Sequence, residues 1–212
     1  LIKPNRGTVK LDEQDLAEVG AWSKANLRKH IGYIPQAAEY NAELPFTLRE
    51  VVAMGRTGVK NLLSRMNTRD YEIIDNWIKK LGLSERQTQT FRSLSGGEQQ
   101  KALIARAMVQ DPEILMLDEP CSNLDFNWKY QITEIIEQLH RESKITVMMV
   151  SHETSLLPSG CSRIVLLHEG EVLADGDVEE VFKSEMLEKA YQCRIETLRI
   201  AGRRYTINKS RA

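Results

Sequence analysis

Two patterns of apolar residues alternate along the second half of this chain, and together they predict an α/β fold. Residues 114–117 are continuously apolar, which is typical of a strand buried on both faces of a parallel sheet, and residues 145–150 form a second apolar strand. Between them, residues 128–143 have apolar positions at the spacing of one helix face. A strand, a crossover helix and a second strand predict a parallel pair, so we expect a mostly parallel sheet flanked by helices.

The middle of the chain is predicted to be mainly helical. Thr47 is followed three residues later by Glu50, which is the spacing of a capped helix start, and a second helix is predicted from Thr68 to Gly82. The remaining predicted elements are strands at residues 8–11 and 30–35, a helix at residues 98–110, a hairpin at residues 163–174 that turns at Glu169 and Gly170, and a last helix capped by Asp177.

These patterns divide the chain into four predicted segments. Two of them belong to an α/β core, a helical subdomain is inserted between those two, and the end of the chain lies outside the core. The predicted boundaries are residues 1–36 for the first part of the core, 37–92 for the helical subdomain, 93–181 for the second part of the core, and 182–212 for a C-terminal helix and tail.

Charge and composition exclude some classes of function. Lys and Arg number 29 against 30 Asp and Glu, and a net charge of -1 argues against a general polyanion-binding surface. We therefore predict no nucleic-acid partner. The basic tail is expected to be a solvated end, and its cationic residues are Arg203, Arg204, Lys209 and Arg211.

The cysteines and the apolar runs indicate a protein of the cytosol. Cys121, Cys161 and Cys193 lie far apart with no C-x-x-C spacing, so neither a zinc site nor a disulfide framework is predicted. No apolar run approaches the roughly 18 residues that a membrane-spanning helix needs, and no signal peptide is visible. A role at a membrane is therefore expected to be indirect, through a partner.

Polar side chains follow the predicted core strands at the point where each strand ends. These residues are Gln36, Asp118, Glu119 and His152. Ligands of open parallel sheets collect outside the carboxyl ends of the strands, so we expect the four side chains to converge on one edge.

The chemistry of these groups suits phosphoryl transfer. Asp118 is placed to hold Mg²⁺, Glu119 to accept a proton from or orient a water molecule, and His152 to hydrogen-bond a terminal phosphate. The alternative is a structural role, in which the two carboxylates cap the turn after the strand and the histidine is an ordinary hydrogen-bonding group.

The sequence L-S-G-G-E-Q at residues 94–99 also has two interpretations. Ser95 and Glu98 have the spacing of a capping box, so they can simply start the helix. A helix start with Gly96 and Gly97 also exposes backbone N–H groups and the positive end of the helix dipole, which is how proteins hold phosphate. The two interpretations are compatible.

Taken together, these motifs resemble those of the ATP-binding subunits of ATP-binding cassette (ABC) transporters, over essentially the whole chain. The resemblance implies a P-loop NTPase-like fold, ATP and Mg²⁺ as ligands, and a role for each motif. Gln36 matches the Q-loop that senses the metal or water, Ser95, Gly96, Gly97 and Gln99 match the signature, Asp118 and Glu119 match the Walker B aspartate and catalytic glutamate, Asp125 ends the D-loop at residues 122–125, and His152 matches the switch histidine.

The resemblance also implies partners and a location. Within the family, residues 48–56 and 111–115 are similar to importers of the iron-siderophore, haem and cobalamin type. The implied assembly is a homodimer that sandwiches ATP, bound to integral-membrane permease subunits at the cytoplasmic face of the membrane and served indirectly by a solute-binding protein. Cys121 departs from the threonine that usually follows the Walker B proline, which affects packing more than chemistry.

One expected motif is missing. No G-x-x-x-x-G-K-[ST] loop occurs in the sequence, although in the family this Walker A loop precedes a segment like residues 1–7. Without its amides and lysine, the phosphates lose most of their charge-assisted hydrogen bonds, so we expect this polypeptide not to bind ATP normally. Since every other motif is intact, the sequence is expected to be an incomplete copy of a working ATPase.

Two other functions remain open from the sequence. One is a soluble ABC ATPase that acts on DNA or ribosomes, against which stand the lack of a basic stripe, of a second cassette and of a long heptad insertion. The other is a regulatory subunit that offers its signature to a partner but binds no nucleotide itself.

Overall fold

The structure, a computed structural model, describes residues 4–11, 13–36, 45–60 and 64–209. The chain divides into two compact units. The first comprises residues 1–118 and 144–149, and the second comprises residues 119–143 and 150–212. Within the described residues, no helix is long and apolar enough to cross a membrane.

A three-stranded sheet forms the centre of the first unit, with strand order β3-β4-β5. Its strands are β3 (Ile31–Ile34), β4 (Ile114–Asp118) and β5 (Thr146–Val150). Strands β3 and β4 are parallel, with Ile34 opposite Leu117. The side chains of Ile34, Leu115 and Leu117 are almost completely buried, as the apolar pattern of this region predicts.

Strand β5 is an outer strand of this sheet among the described residues. Its residues are alternately exposed and half-buried, and Met148 and Val150 expose 58% and 55% of their surface. The apolar run at residues 145–150 therefore forms the predicted strand, but one of its faces is open in the described part of the chain.

The described part of the first unit has four α-helices: α1 (Ala21–Lys29), α2 (Leu48–Val59), α3 (Thr68–Lys80) and α4 (Gly96–Met108). Polar side chains cap the starts of α2, α3 and α4, whereas α1 begins after Gly20 without a side-chain cap. A capping box starts α2 at Thr47 and Glu50, as predicted, and Asn67 and Asp70 form a third capping box at α3 that sequence analysis did not identify. Ahead of α1, a short hairpin pairs β1 (Lys10–Leu11) with β2 (Gln14–Asp15), so the first predicted strand is shorter than expected.

Helices α2 and α4 pack at very short range. Gly55 permits this contact, because a Cβ built at that position would lie 1.9 Å from the carbonyl oxygen of Arg106 and 2.8 Å from Val109 Cγ2. A glycine is therefore required on α2 where it meets the helix that follows the S-G-G motif.

A buried carboxylate ties the two helices α2 and α3 together. Asp70 is 2% exposed and forms ion pairs with Arg56 at 2.9 Å and with Lys60. It also accepts a hydrogen bond from the backbone N–H of Asn67. The Lys60 contact, with the Asn67 N–H and Arg56, holds the pKa of Asp70 well below its usual range.

The prediction that residues 37–92 are mainly helical includes residues 37–44 and 61–63, which lie outside the described residues. In the rest of that segment, α2 and α3 account for most of the regular structure, and they are followed by short 3-10 turns at Ser84–Arg86 and Phe91–Ser93.

The second unit contains the long helix α5 (Phe126–Ser143) and a hairpin of β6 (Arg163–His168) and β7 (Glu171–Asp177). Glu169 and Gly170 form the turn with positive φ angles of 50° and 82°, as two-residue hairpin turns require. Asp177 caps α6 (Val178–Val181) by accepting a hydrogen bond from Glu179 N. The predicted hairpin and the predicted cap are both present.

The end of the chain differs from the prediction. Helix α7 (Ser184–Tyr191) is followed by a second hairpin of β8 (Ile195–Ile200) and β9 (Arg203–Asn208), where the sequence predicts a solvated tail. Arg204 is 6% exposed and pairs with Glu179, and Arg203 lies over the ring of Tyr130 at 4.7 Å. The expectation of a solvated end is wrong for Arg203 and Arg204, because opposite charges and an aromatic ring hold the two arginines against the unit. Arg211 lies outside the described residues.

Candidate active site

The backbone of Glu119 is held in an uncommon conformation at the end of β4. Its φ angle is 46°, in the left-handed region that non-glycine residues seldom adopt. Three hydrogen bonds hold it: Glu119 N donates to Val150 O at 3.1 Å, and Glu119 O accepts from Ser122 N at 3.0 Å and from Ser122 Oγ at 2.9 Å. Strain of this kind concentrates at functional sites and persists where the surroundings fix it.

The side chains of Glu119 and His152 are in direct contact. His152 Nδ1 lies 3.2 Å from Glu119 Oε1, and the hydrogen bond between Glu119 N and Val150 O brings the ends of β4 and β5 together at this point. The Glu119 side chain is 26% exposed and that of His152 is 64% exposed. The two groups that the sequence selects for acid-base chemistry therefore form one pair that is open to solvent on the histidine side.

Two further charged residues belong to the same cluster, and sequence analysis missed both. Glu153 Oε1 lies 3.9 Å from His152 Nε2, and Lys129 Nζ is bound to the same carboxylate. Glu153 directly follows His152 in the sequence, so its place in the cluster could have been predicted from that neighbour. Lys129 is 24 residues away on α5, and no motif marks it.

Gln36 and Asp118 leave the sheet at one edge. Ile34 is opposite Leu117 in the parallel pair, so Asp118 comes one residue after this level of the sheet and Gln36 comes two residues after it. Both residues are half-buried. The register thus places both polar residues at the carboxyl ends of the adjacent strands β3 and β4, and the roles predicted for them stay predictions.

The S-G-G motif starts α4 through a capping box. Ser95 Oγ accepts from Glu98 N at 3.3 Å, and Glu98 Oε2 accepts from Ser95 N and Ser95 Oγ, both at 2.9 Å. The Ser95 backbone N–H holds the pKa of Glu98 below its usual range, with Arg86 contributing at 3.1 Å. Ser95 and Gly96 are exposed, whereas Gly97 is buried. Ser95 and Gly96 are therefore the accessible residues of the motif at this helix start.

Gln99 and Asp125 both have local structural contacts. Gln99 Nε2 donates to Phe91 O at 3.1 Å and to Leu94 O at 3.2 Å, which holds the turn before α4. Asp125 Oδ1 accepts from Trp128 N at 3.0 Å at the start of α5. The contacts with nucleotide that the resemblance implies for these two residues stay predictions.

The donor chemistry fits a magnesium ion held mainly by phosphate and water. Among the described residues, no group of three or more His, Cys, Asp or Glu side chains could hold a metal by itself. Asp118 provides one carboxylate and Gln36 one amide oxygen at the same sheet edge. Magnesium in nucleotide sites usually keeps several waters and takes one or two protein ligands, which this pair matches.

The C-terminal hairpin contacts the loop that carries His152. Thr206 Oγ1 lies 2.8 Å from Thr154 Oγ1, and Tyr191 Oη donates to His152 O at 3.5 Å. A cleft of about 500 Å³ lies between this loop and the hairpin, lined in part by Tyr130, Tyr205 and Cys193. Strand β9 of the hairpin therefore holds Thr154 of this loop, and the end of α7 contacts the backbone of His152.

Cys121 is the buried residue of the loop between β4 and α5. It is 4% exposed, and its Sγ lies 3.7 Å from Lys129 O and 3.9 Å from Thr133 Oγ1. Burial raises the pKa of the Cys121 thiol. The position is thus a packing site, as the sequence suggests for this departure from threonine.

Comparison with known proteins gives one consistent result. The family model described as "ABC transporter" matches residues 1–122. An ABC transporter ATP-binding protein of Methanocaldococcus jannaschii is 34% identical over 191 residues, which cover 90% of this chain and 72% of that protein. A metal transport system ATP-binding protein of Thermotoga maritima is 37% identical over 145 residues, and the match covers 68% of this chain and 58% of that protein.

A relative of named substrate and two solved structures agree with this result. The petrobactin import ATP-binding protein of Bacillus anthracis is 29% identical, over 92% of this chain and 70% of that protein. An inward-facing metal-chelate type ABC transporter matches the fold with a TM-score of 0.75 at 24% identity, covering 84% of this chain and 70% of that one. A dimeric ATP-binding cassette with bound ADP and Pi has a TM-score of 0.70 at 25% identity, covering 84% and 75%.

The parallel sheet with its flanking helices is therefore the P-loop NTPase-like fold of ABC ATPases, and the chain belongs to the ABC transporter family of ATPases.

Proposed function

We propose that this chain belongs to the ATP-binding and ATP-hydrolysing subunit of an ABC importer, for an iron-siderophore, haem, cobalamin or metal substrate. The observation that carries the proposal is the contact of 3.2 Å between His152 Nδ1 and Glu119 Oε1 beyond the ends of β5 and β4. The substrate class is supported by relatives that are named for chelated iron, manganese, petrobactin and zinc transport.

In the proposed reaction, Glu119 accepts a proton from the attacking water, and His152 donates a hydrogen bond to the terminal phosphate or to that water. Asp118 and Gln36 would hold Mg²⁺, which supplies positive charge to the phosphate oxygens when it is bound. The hydrogen bonds of the Glu119 backbone and the contact with His152 would position this carboxylate before the reaction. The chemistry of the chain's own residues is thus a proton transfer with a positioned acceptor.

The proposed dimer places the start of α4 against phosphates that a second copy binds. Ser95 and Gly96 are exposed at this helix start, and a helix N-terminus favours anions. Gly97, Gln99 and Asp125 would contribute to the same nucleotide site, as the family resemblance implies, and Gln99 and Asp125 also hold the backbone of their loops. The domain boundaries at residues 36, 92 and 181 are part of this proposal.

The proposed partners are a second ATPase subunit and integral-membrane permease subunits at the cytoplasmic face of the membrane. A solute-binding protein would act indirectly, through the permease. Co-purification of the intact protein with a permease supports this assignment, whereas association with ribosomes or DNA would favour a soluble ABC ATPase.

Glu119→Gln in the intact protein tests the proposed chemistry. We expect Mg²⁺-dependent ATP hydrolysis to fall by about 10²- to 10⁴-fold, because a positioned general base is lost, while ATP still binds. Glu180→Gln is a matched control, since Glu180 is an exposed glutamate in the same unit. Hydrolysis that survives Glu119→Gln would rule out the proposed role. Failure of the wild type to bind ATP would favour a regulatory subunit.

A further inference from the structure

His152 lies between two carboxylates, and only one of them belongs to the proposed reaction. Glu119 Oε1 is 3.2 Å from His152 Nδ1, and Glu153 Oε1 is 3.9 Å from His152 Nε2. A neutral imidazole carries only one N–H, so the two carboxylates compete for it, because either acid can accept that N–H. Something must therefore keep Glu153 from drawing the ring away from Glu119.

Lys129 occupies the carboxylate of Glu153. The two side chains form an ion pair in which they are 24% and 30% exposed. Partial burial makes this pair more persistent than a fully solvated one, because solvent screens it less. The four charged groups therefore alternate in sign in the order Glu119, His152 when protonated, Glu153 and Lys129.

The backbone on both sides of this pair is fixed. Lys129 N donates to Asp125 O at 3.0 Å in the first turn of α5. On the other side, Glu153 N donates to Ser151 Oγ at 3.1 Å, and Ser151 Oγ donates to Glu153 O at 3.1 Å. Lys129 is thus anchored by a hydrogen bond in the first turn of α5, and the backbone of Glu153 is held by hydrogen bonds with Ser151.

We propose that Lys129 is a positioning residue. By pairing with Glu153, it keeps Glu153 from binding the His152 ring, so His152 stays in contact with Glu119. The expected effect on ATP turnover rests on the proposed function, whereas the expected effect on the position of the His152 ring does not. Lys129 pairs with Glu153, and Glu153 in turn lies 3.9 Å from His152 Nε2, so the effect of Lys129 on the histidine passes through Glu153.

The proposal predicts that a second substitution, at Glu153, should reverse the effect of removing Lys129. In Lys129→Met the carboxylate of Glu153 is released, binds His152 and weakens the contact with Glu119. In Lys129→Met/Glu153→Gln the competing carboxylate is gone, so the contact with Glu119 should return. If the ion pair only stabilised the fold, the double variant would remain as impaired as the single one.

The experiment uses the intact protein and two readouts. The first is the pair of ring ¹⁵N shifts of His152 in uniformly ¹⁵N-histidine-labelled protein, assigned by loss of the signal in His152→Asn. The second is kcat and KM for ATP hydrolysis. We expect Lys129→Met to move the ring shifts and to lower kcat by about tenfold with little change in KM, which is the pattern of a lost transition-state interaction. The double variant should recover both readouts to within about threefold of wild type, and Lys129→Arg should keep them because it retains the pair.

Lys209→Met is the matched control, since it breaks a Lys–Glu pair of 2.9 Å with Glu196 in the same unit. It should change neither readout. Thermal unfolding checks each variant, and Lys129→Gln replaces Lys129→Met if the methionine variant does not fold. A double variant that stays tenfold impaired, with ring shifts still displaced, would overturn the proposal. If instead the wild type does not hydrolyse ATP, the proposed function fails, and the ring shifts alone decide the positioning role.

Discussion

Gly55 lies directly against the backbone of Arg106, so closely that an added Cβ would be 1.9 Å from the Arg106 carbonyl oxygen. This contact brings α2 and α4 together. We expect Gly55→Ala to push the helices apart and to destabilise the protein by about 1–3 kcal/mol, as overpacking of a tight contact does. Urea unfolding followed by circular dichroism measures this loss.

Gly58→Ala is the matched control on the same helix. Apart from its chain neighbours and the nearby backbone of its own helix, no heavy atom in the described part of the chain lies within 4 Å of a Cβ built at Gly58. Alanine should therefore stabilise α2 by up to about 1 kcal/mol, because it has the higher helix propensity. Equal effects of the two substitutions would contradict the close contact.

Asp70 should make stability depend on acid pH. Its pKa in the folded protein is well below the usual value of about 3.9, chiefly through the hydrogen bond from Lys60. A depressed folded pKa stabilises the protein above the unfolded pKa, and this contribution is lost as the pH falls from about 4 towards the folded pKa. Asp70→Asn should lower the melting temperature at pH 7 and flatten its decline below pH 4.

Asp75→Asn provides the comparison for Asp70. It removes a pair with Arg49 of 2.8 Å that is 51% exposed on the aspartate side. Exposed pairs contribute little, so the melting temperature at pH 7 should fall much less than in Asp70→Asn. The interpretation of Asp70 as a buried tie between helices fails if both variants behave alike.

Thr206→Val should loosen the loop that carries His152. The substitution keeps the shape of the side chain but removes the hydroxyl that lies 2.8 Å from Thr154 Oγ1. We expect a loss of about 1 kcal/mol and faster amide exchange at residues 152–157, measured by hydrogen–deuterium exchange. Thr197→Val, which removes a weaker contact of 3.5 Å with Ser184, should leave exchange in that loop unchanged.

Ser122→Ala should affect the site through the backbone of Glu119. It removes the hydroxyl bond of 2.9 Å to Glu119 O, which is one of three bonds that hold the left-handed conformation. We expect about 1 kcal/mol of lost stability and a several-fold lower kcat for ATP hydrolysis. Thr57→Ala removes a similar bond of 2.8 Å to Met54 O in α2, so it should cost comparable stability without changing kcat.

The elements of the core could be predicted because local signals agree with the tertiary structure. The capping boxes at Thr47 and Ser95 start the helices where the sequence places them, and the apolar run at residues 114–117 becomes the central strand β4. In these places propensity, capping and burial all favour one structure. The contact between Glu119 and His152 could also be predicted, because both residues follow the ends of adjacent strands at one edge of the sheet.

The C-terminal hairpin and Lys129 could not be predicted as easily. Ala201 and Gly202 form the hairpin turn with positive φ angles, but the surrounding arginines look like a solvated tail until their partners are known. The pairing of Lys129 with Glu153 depends on the packing of a helix start against a loop 24 residues later. Such long-range charge pairs leave no periodic signal in one sequence.

The burial of Cys121 makes its alkylation rate a measure of how often the turn between β4 and α5 opens. Burial raises the pKa of both Cys121 and Cys161, but Cys121 is only 4% exposed whereas Cys161 and Cys193 are half-buried, so Cys121 should react most slowly with alkylating reagents. Labelling of Cys121 therefore requires the turn between β4 and α5 to open. The rate of its alkylation, followed by mass spectrometry, would report local opening of the segment that carries Glu119, without an engineered probe.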